Sequence, residues 1–304
     1  MLKLSNNGES ERQYLSLAQE LIEEGDPRID RTGVGTLALH GRTMRFNLQD
    51  GIWPLLTTKR IPWKAVAGEL IWFLNGETNI RSLLEKNITI WSEWPHQKYV
   101  QETGENVDIK VFEQRILKDA AFAKKWGDLG PVYGKQWRRW QGPDGREYDQ
   151  ISDLMQRIQN DPYSRRLLFH GWNVADLYQM ALPPCHLLYQ FFVSSKGQLS
   201  ATLYQRSADM GLGVPFNIAS CALLIHMMAQ QLSLSPGDLF WVGHDVHLYQ
   251  NHVEPMKVQI QRVPTPFPTI HIKRKPNSLF DYQIEDFEPI GYHPQKSIPM
   301  PIAV

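Results

Sequence analysis

A cysteine flanked by Pro184 and His186, in ALPPCHLLYQ (181–190), is the first side chain here that could bond covalently to a substrate. A thiolate is a strong nucleophile near neutral pH, so Cys185 is either a nucleophile or sulfur used as packing. The second cysteine, Cys221, lies in the middle of PFNIASCALLIHMMAQQL (215–232) and reads as packing. Glu69 interrupts the apolar run KAVAGELIWFLNG (64–76), where a carboxylate needs a reason to be buried. Asn217 follows Pro215-Phe216 at the head of another apolar run, Asp209 sits in RSADMGLG, and His247 and Tyr249 sit in HDVHLY. Singly, each reads as a cap or a hydrogen-bonded core group. Together, beside a Cys-His pair, they describe a site. Arg31, Arg165, Arg166 and Arg206 stand at the edges of apolar or turn segments rather than in mixed-charge blocks. The guanidinium fork matches phosphate oxygens, so their convergence suggests a phosphate monoester. The same positive charge favours the thiolate of a nearby cysteine. No CxxC or Cys/His spacing suggests zinc, and no metal is expected.

The elements that must carry these groups follow from periodicity. Tyr14, Leu15, Ala18, Leu21 and Ile22 recur at helical spacing within 10–24, with Gly25 as a stop. TLALHGRTMRFNL (36–48) reads as extended, and 64–76 as an apolar helix ending at Asn75-Gly76. RLLFHGW, HLLYQFFVS and QLSATLYQR are β-prone, the last two joined by a Ser195-Lys196-Gly197 turn. Residues 215–232 form a core helix, and DLFWVGHDVHLY a strand entering a polar cluster. The polar stretch 97–125 reads as a surface insertion with a helix at 112–125, and the tail after 262 as proline-rich and irregular. RTGVGT (31–36) lacks the lysine of a P-loop and the third glycine of a dinucleotide fingerprint. The expectation is one mixed α/β (α+β) domain.

Composition sets the outer bounds. The 304 residues are 42% apolar and 21% charged, ordinary for a folded chain, with 32 basic and 32 acidic side chains. A net charge of zero gives no field for nucleic acid, so an anion site must be built locally. Two cysteines make no disulfide framework, the N-terminal residues have no signal-peptide core, and no stretch approaches a membrane span. The expected location is the cytoplasm, without membrane or obligatory nucleic-acid partners.

RTGVGT, TTKR, GELIWFLNGETNI, TIWSEW, GDLGPVYGKQWR, DPYSRRL, GWN, ALPPCH, LYQRSADMGLGVPFNIAS, GHDVHLYQNH, IKRKP and PIAV, in this order over nearly the whole chain, resemble the folate-dependent thymidylate synthase family. The resemblance implies a large mixed sheet flanked by helices, with one sheet face as a homodimer interface, and a single catalytic domain over 1–304. It implies methylation of deoxyuridine monophosphate (dUMP) to dTMP with 5,10-methylenetetrahydrofolate as co-substrate, giving dihydrofolate, without metal.

In that family pattern Cys185 adds to uracil C6, Glu69 serves proton transfer through water, Tyr133 positions a water, and His186 supports that region. Arg31, Arg206 and Ser207 hold phosphate, with Arg165 and Arg166 reaching from the other subunit. Asn217 reads the base, Gln205 and Asp209 complete the nucleotide side, and His247 and Tyr249 hold the deoxyribose hydroxyl. Asp209 also meets the pterin, and Ile90, Trp91, Trp94, Leu182, Leu212, Gly213 and Phe216 wall the folate. Lys59 meets the glutamate tail, and Ala303 and Val304 close over the site.

Three positions depart from the pattern: Ser92 where aspartate is usual, His244 for glycine, and Gly171 for alanine. The alternative ending is a dUMP hydroxymethylase, in which water rather than hydride attacks the same methylene intermediate. A dry pocket around Trp91 favours hydride. A reading of another class is a non-catalytic nucleotide- or RNA-binding relative.

Overall fold

A computed structural model describes residues 9–30 and 32–302. Its centre is a six-stranded mixed sheet in the order β1-β2-β8-β7-β6-β5. The strands are β1 Asp26–Arg28, β2 Thr36–Asn47, β5 Leu168–His170, β6 His186–Val193, β7 Gln198–Asp209 and β8 Ser235–Tyr249. Neighbours run antiparallel except β7 and β8, which are parallel with Asp209 beside His247. Short ladders pair β3 Trp140–Gln141 with β4 Glu147–Tyr148, and β9 Thr269–Ile272 with β10 Phe287–Ile290.

The helices are α1 Glu9–Glu24, α2 Trp63–Leu74, α3 Arg81–Leu84, α4 Glu93–Thr103, α5 Ile109–Lys118, α6 Ala120–Trp126, α7 Tyr133–Arg138, α8 Gln150–Asn160, α9 Gly213–Leu232 and α10 Val253–Ile260. Apolar side chains nearly all round α9 explain its place as the central core helix between β7 and β8, and Cys221 is buried in it. By length and composition α9 could cross a membrane, contrary to the expectation that no stretch approaches a span. However, 83% of its most apolar window is buried within the protein. The parallel β7–β8 pair requires a crossover, and α9 provides it.

Two expectations change. The polar stretch 97–125 is helical throughout most of its length. Tyr99, Phe112, Phe122 and Trp126 form an aromatic cluster inside it, with ring centroids 5.1–5.7 Å apart. Its expected single helix breaks at Asp119, whose carboxylate caps α6 by accepting from the N–H groups of Ala121 and Phe122. The tail is not wholly irregular either, because β9 and β10 pair within it.

Candidate active site

β6 and β7 bring the cysteine and its neighbours together. The Cys185 backbone N–H donates to the Tyr133 hydroxyl at 2.7 Å, and its carbonyl accepts from the Arg206 N–H at 2.9 Å. The Arg206 guanidinium donates to the carbonyls of Pro184 (2.8 Å) and Pro183 (2.9 Å) and lies over the Trp172 ring. It therefore fixes the Pro-Pro-Cys turn as well as charging it. Burial pushes the Cys185 thiol up, while Arg206 and hydrogen bonds from Tyr133 and Ser207 pull it down. Arg206 lowers it, as expected of an arginine beside a thiol, but burial outweighs that effect and the net direction is upward. Arg206 is the arginine with the largest effect on this thiol among the described residues. Arg165 and Arg166 are exposed ahead of the edge strand β5 and make no ion pair among the described residues. Arg31 lies outside the described residues, as do Ala303 and Val304.

Glu69 is buried on α2, and its Oε1 accepts from Trp91 Nε1 at 2.8 Å. Burial raises its pKa to about 7, only partly opposed by that hydrogen bond. Tyr133 lies within electrostatic reach of both Glu69 and Cys185, and burial foremost raises its pKa. The His186 ring stacks on Tyr133 with centroids 4.4 Å apart, and its Nδ1 shares a 2.7 Å hydrogen bond with the Tyr189 hydroxyl. Burial lowers the His186 pKa to about 3, so the ring is neutral.

Asn217, in the first turns of α9, is oriented by a chain of hydrogen bonds. Trp241 Nε1 donates to Gln205 Oε1 at 2.9 Å, and Gln205 Nε2 donates to Asn217 Oδ1 at 2.8 Å. Gln205 Nε2 also donates to the Ser207 carbonyl. Gln205 is thus spent on protein groups, and the Asn217 amide N–H groups point elsewhere with their orientation decided. On β8, Asp245 accepts from Arg28 at 2.9 Å and pairs with His247 Nδ1 at 3.0 Å. The proton on Nδ1 that this carboxylate selects leaves Nε2 as an acceptor. Tyr249 packs edge-on between the rings of His247 and His252.

Asp209 Oδ1 accepts from the Gly211 N–H at 2.8 Å and lies 3.8 Å from His252 Nδ1. Gly211 must lack a side chain, since a Cβ would stand 2.3 Å from His252 Nδ1. Ile90, Trp94, Leu182, Leu212 and Phe216 pack one side on the core and keep another accessible, Gly213 opens α9 beside them, and Trp91 is buried against Trp94. Lys59, assigned above to the glutamate tail, makes its contacts within the protein. It is buried, donates from Nζ to the Gly211 carbonyl and lies 3.8 Å from Met300 Sδ. Burial lowers its pKa to about 8, with Asp209 and Glu11 opposing. Of the three departures, Ser92 is buried with no partner for its Oγ among the described residues. His244 is exposed and edge-on to His40, and a methyl on Gly171 would meet Pro184 at 3.3 Å. Trp241, Asp245, His252 and Glu11 were not singled out by sequence. No group of three or more potential metal ligands occurs among the described residues.

The family model described as thymidylate synthase matches residues 12–304. A thymidylate synthase of Zymomonas mobilis is 55% identical over 295 residues, covering 97% of this chain and all of the relative. One from Rhodopseudomonas palustris is 54% identical over 294 residues, 97% of this chain and 99% of the relative. One from Rhizobium rhizogenes is 51% identical over 302 residues, 97% and 98% respectively.

Proposed function

The chain belongs to the thymidylate synthase family, and from that premise we propose that Cys185 is the nucleophile of a reductive methylation converting dUMP to dTMP. The family's co-substrate, 5,10-methylenetetrahydrofolate, supplies the carbon and the hydride and leaves as dihydrofolate. The relatives give the hydroxymethylase alternative no support. The observation that carries the reading is the junction of Cys185, Arg206 and Tyr133 beside an Asn217 amide whose orientation is fixed.

In this reading the Cys185 sulfur bonds to uracil C6 and makes C5 nucleophilic, a covalent division of one hard step into easier ones. Arg206 and Ser207, with Arg31, bind the phosphate, whose negative charge the guanidinium groups balance. The Asn217 amide offers a donor and an acceptor to the N3–H and O4 edge of uracil. His247 Nε2 accepts from the deoxyribose hydroxyl, beside Tyr249. Glu69, poised near neutrality, moves protons at O4 and toward the folate. Tyr133 with the neutral His186 behind it positions the water that takes the C5 proton. The half-buried apolar surfaces of Ile90, Trp94, Leu182, Leu212 and Phe216, with Trp91, Gly213 and Asp209, suit a pterin and its aromatic extension. Lys59 serves the glutamate tail, and Ala303 and Val304 close the site.

We read the whole chain, 1–304, as one catalytic domain with 97–125 inserted at its surface, working in the cytoplasm as a homodimer. Support for the dimer comes from the sheet face away from α9, where Leu168, Phe192 and Phe240 are 39%, 65% and 39% exposed. Arg165 and Arg166, exposed and without ion pairs among the described residues, then serve the other subunit's phosphate site. The test is mass spectrometry of the product from dUMP and 5,10-methylenetetrahydrofolate, followed at the dihydrofolate absorbance. Turnover to 5-hydroxymethyl-dUMP without dihydrofolate would overturn the reading.

A further inference from the structure

Among the described residues, the most deeply buried carboxylate belongs to a residue that no step above uses. Glu11 is fully buried on α1, in register with the apolar stripe of Tyr14, Leu15, Ala18 and Leu21. Its Oε2 accepts from the N–H and hydroxyl of Thr57 at 2.8 and 2.6 Å, and its Oε1 from the N–H and hydroxyl of Thr58 at 2.9 and 2.6 Å. Four donors fill the four lone-pair positions of a carboxylate, which offsets the cost of burying it.

What the clamp holds leads in one direction. Gln259 Nε2 donates to Thr58 Oγ1, Arg262 Nη1 donates to the Thr58 carbonyl, and the Gln295 N–H donates to the Thr57 carbonyl. The next residue, Lys59, reaches the Gly211 carbonyl and Met300. One turn along α1, the Tyr14 hydroxyl donates to the Met210 carbonyl at 2.5 Å. His252, beside Gly211, shares a 2.7 Å hydrogen bond between Nε2 and the Pro301 carbonyl. Two residues of α1 therefore grip the Thr57–Lys59 loop and the Asp209–Gly211 turn; the loop touches the C-terminal segment directly, and the turn is linked to it through His252. The hydrogen-bond partners of the Glu11 carboxylate are Thr57 and Thr58, away from Cys185, Arg206 and Asn217.

We propose that Glu11 is a positioning residue for the folate half of the site: its carboxylate fixes the Thr57–Thr58 backbone from which Lys59 reaches the Asp209–Gly211 turn and the C-terminal segment at Met300. The inference rests on Lys59 and Asp209 being folate contacts, as read above. Glu11 also acts at a distance. Glu11 and Tyr14 from α1, Asp209 from β7 and His252 from the turn after β8 face this cluster, and of these Glu11 and Asp209 help Lys59 to keep its proton against burial.

The experiment uses Glu11→Gln, whose amide has one acceptor oxygen and turns N–H groups toward donors, and Thr58→Val, which removes one hydroxyl and keeps the β-branch. Steady-state assays of dihydrofolate formation would compare monoglutamyl and polyglutamyl 5,10-methylenetetrahydrofolate, with dUMP affinity measured separately by calorimetry. The expected result for Glu11→Gln is a KM for the folate raised about tenfold, the size one charge-assisted hydrogen bond can transmit. The polyglutamate preference falls, and dUMP affinity changes by less than about twofold, within the reach of an indirect effect. The loss of folate affinity that accompanies deprotonation of Lys59, near pH 8 in the wild type, moves to lower pH. Thr58→Val shifts folate KM in the same direction by less. If Glu11→Gln does not fold, Thr58→Val decides. Variants that melt earlier but keep the wild-type folate-to-dUMP ratio and pH profile would overturn the inference, because a purely structural brace predicts that result. A wild-type chain that forms no dihydrofolate overturns the family chemistry together with this inference; wild-type turnover with unshifted variants overturns the inference alone.

Discussion

At the scale of residues, the site separates groups that react from groups that hold them. Cys185→Ser keeps the turn that Arg206 fixes, so dUMP should still bind by calorimetry while dihydrofolate formation falls to background. Glu69 gives a prediction with a sign. Its folded pKa of about 7 lies above the 4.5 of an unperturbed glutamate, so its contribution is most favourable below pH 4.5 and is lost as pH rises through about 7. Glu69→Gln removes that penalty and should be more stable than wild type at pH 8, by on the order of 3 kcal/mol, with the gain vanishing near pH 4 in urea titrations. Such residues were legible because a carboxylate, an asparagine or a cysteine stood out in an apolar run. Gln205 and Trp241 were less so, since their roles come from one hydrogen-bond chain across β7, β8 and α9. Glu11 did leave a signal, a carboxylate in register with the stripe of α1, but its partners Thr57 and Thr58 are distant in sequence.

The elements were mostly legible where periodicity was strong. The helices α1, α2 and α9 and the strands β2, β6, β7 and β8 follow the expected spans closely, because each buries a face whose spacing is written in its residues. The stretch 97–125 misled because its charges dominate the composition, while the aromatic cluster that organises it is spread over three short helices. The β9–β10 pairing was hidden among prolines and carries weak alternation. Turns also bear on the site. Gly130, three residues before Tyr133, has a φ of +77°, and a Cβ there would stand 2.1 Å from the Gln179 carbonyl oxygen. Gly130→Ala should therefore destabilise the fold by about 2 kcal/mol or more, read as a lower urea midpoint. It should also displace Tyr133 from the Cys185 N–H, read as a fall in kcat at saturating substrate.

At the scale of the molecule, the proposed dimer predicts complementation between two defective variants. Cys185→Ser and the double variant Arg165→Ala/Arg166→Ala should each be inactive alone. After mixing, unfolding and refolding together, random pairing leaves intact sites at about a quarter of the total, since half of the dimers are mixed and half of their sites escape both changes. Absence of recovered turnover in the refolded mixture would refute shared sites. The sheet carries a further consequence through its one parallel pair. Asp209 meets His247 only once β7, the whole of α9 and β8 are in place, and β2 closes beside them with Thr36 opposite Tyr249 near the far end of the chain. Pairings of such long sequence separation form slowly, because loop closure must precede the contacts that reward it. The nucleotide and folate halves therefore have no half-built form that works: in refolding experiments, nucleotide binding should appear with the last kinetic phase, well after the helical signal of α9 has returned.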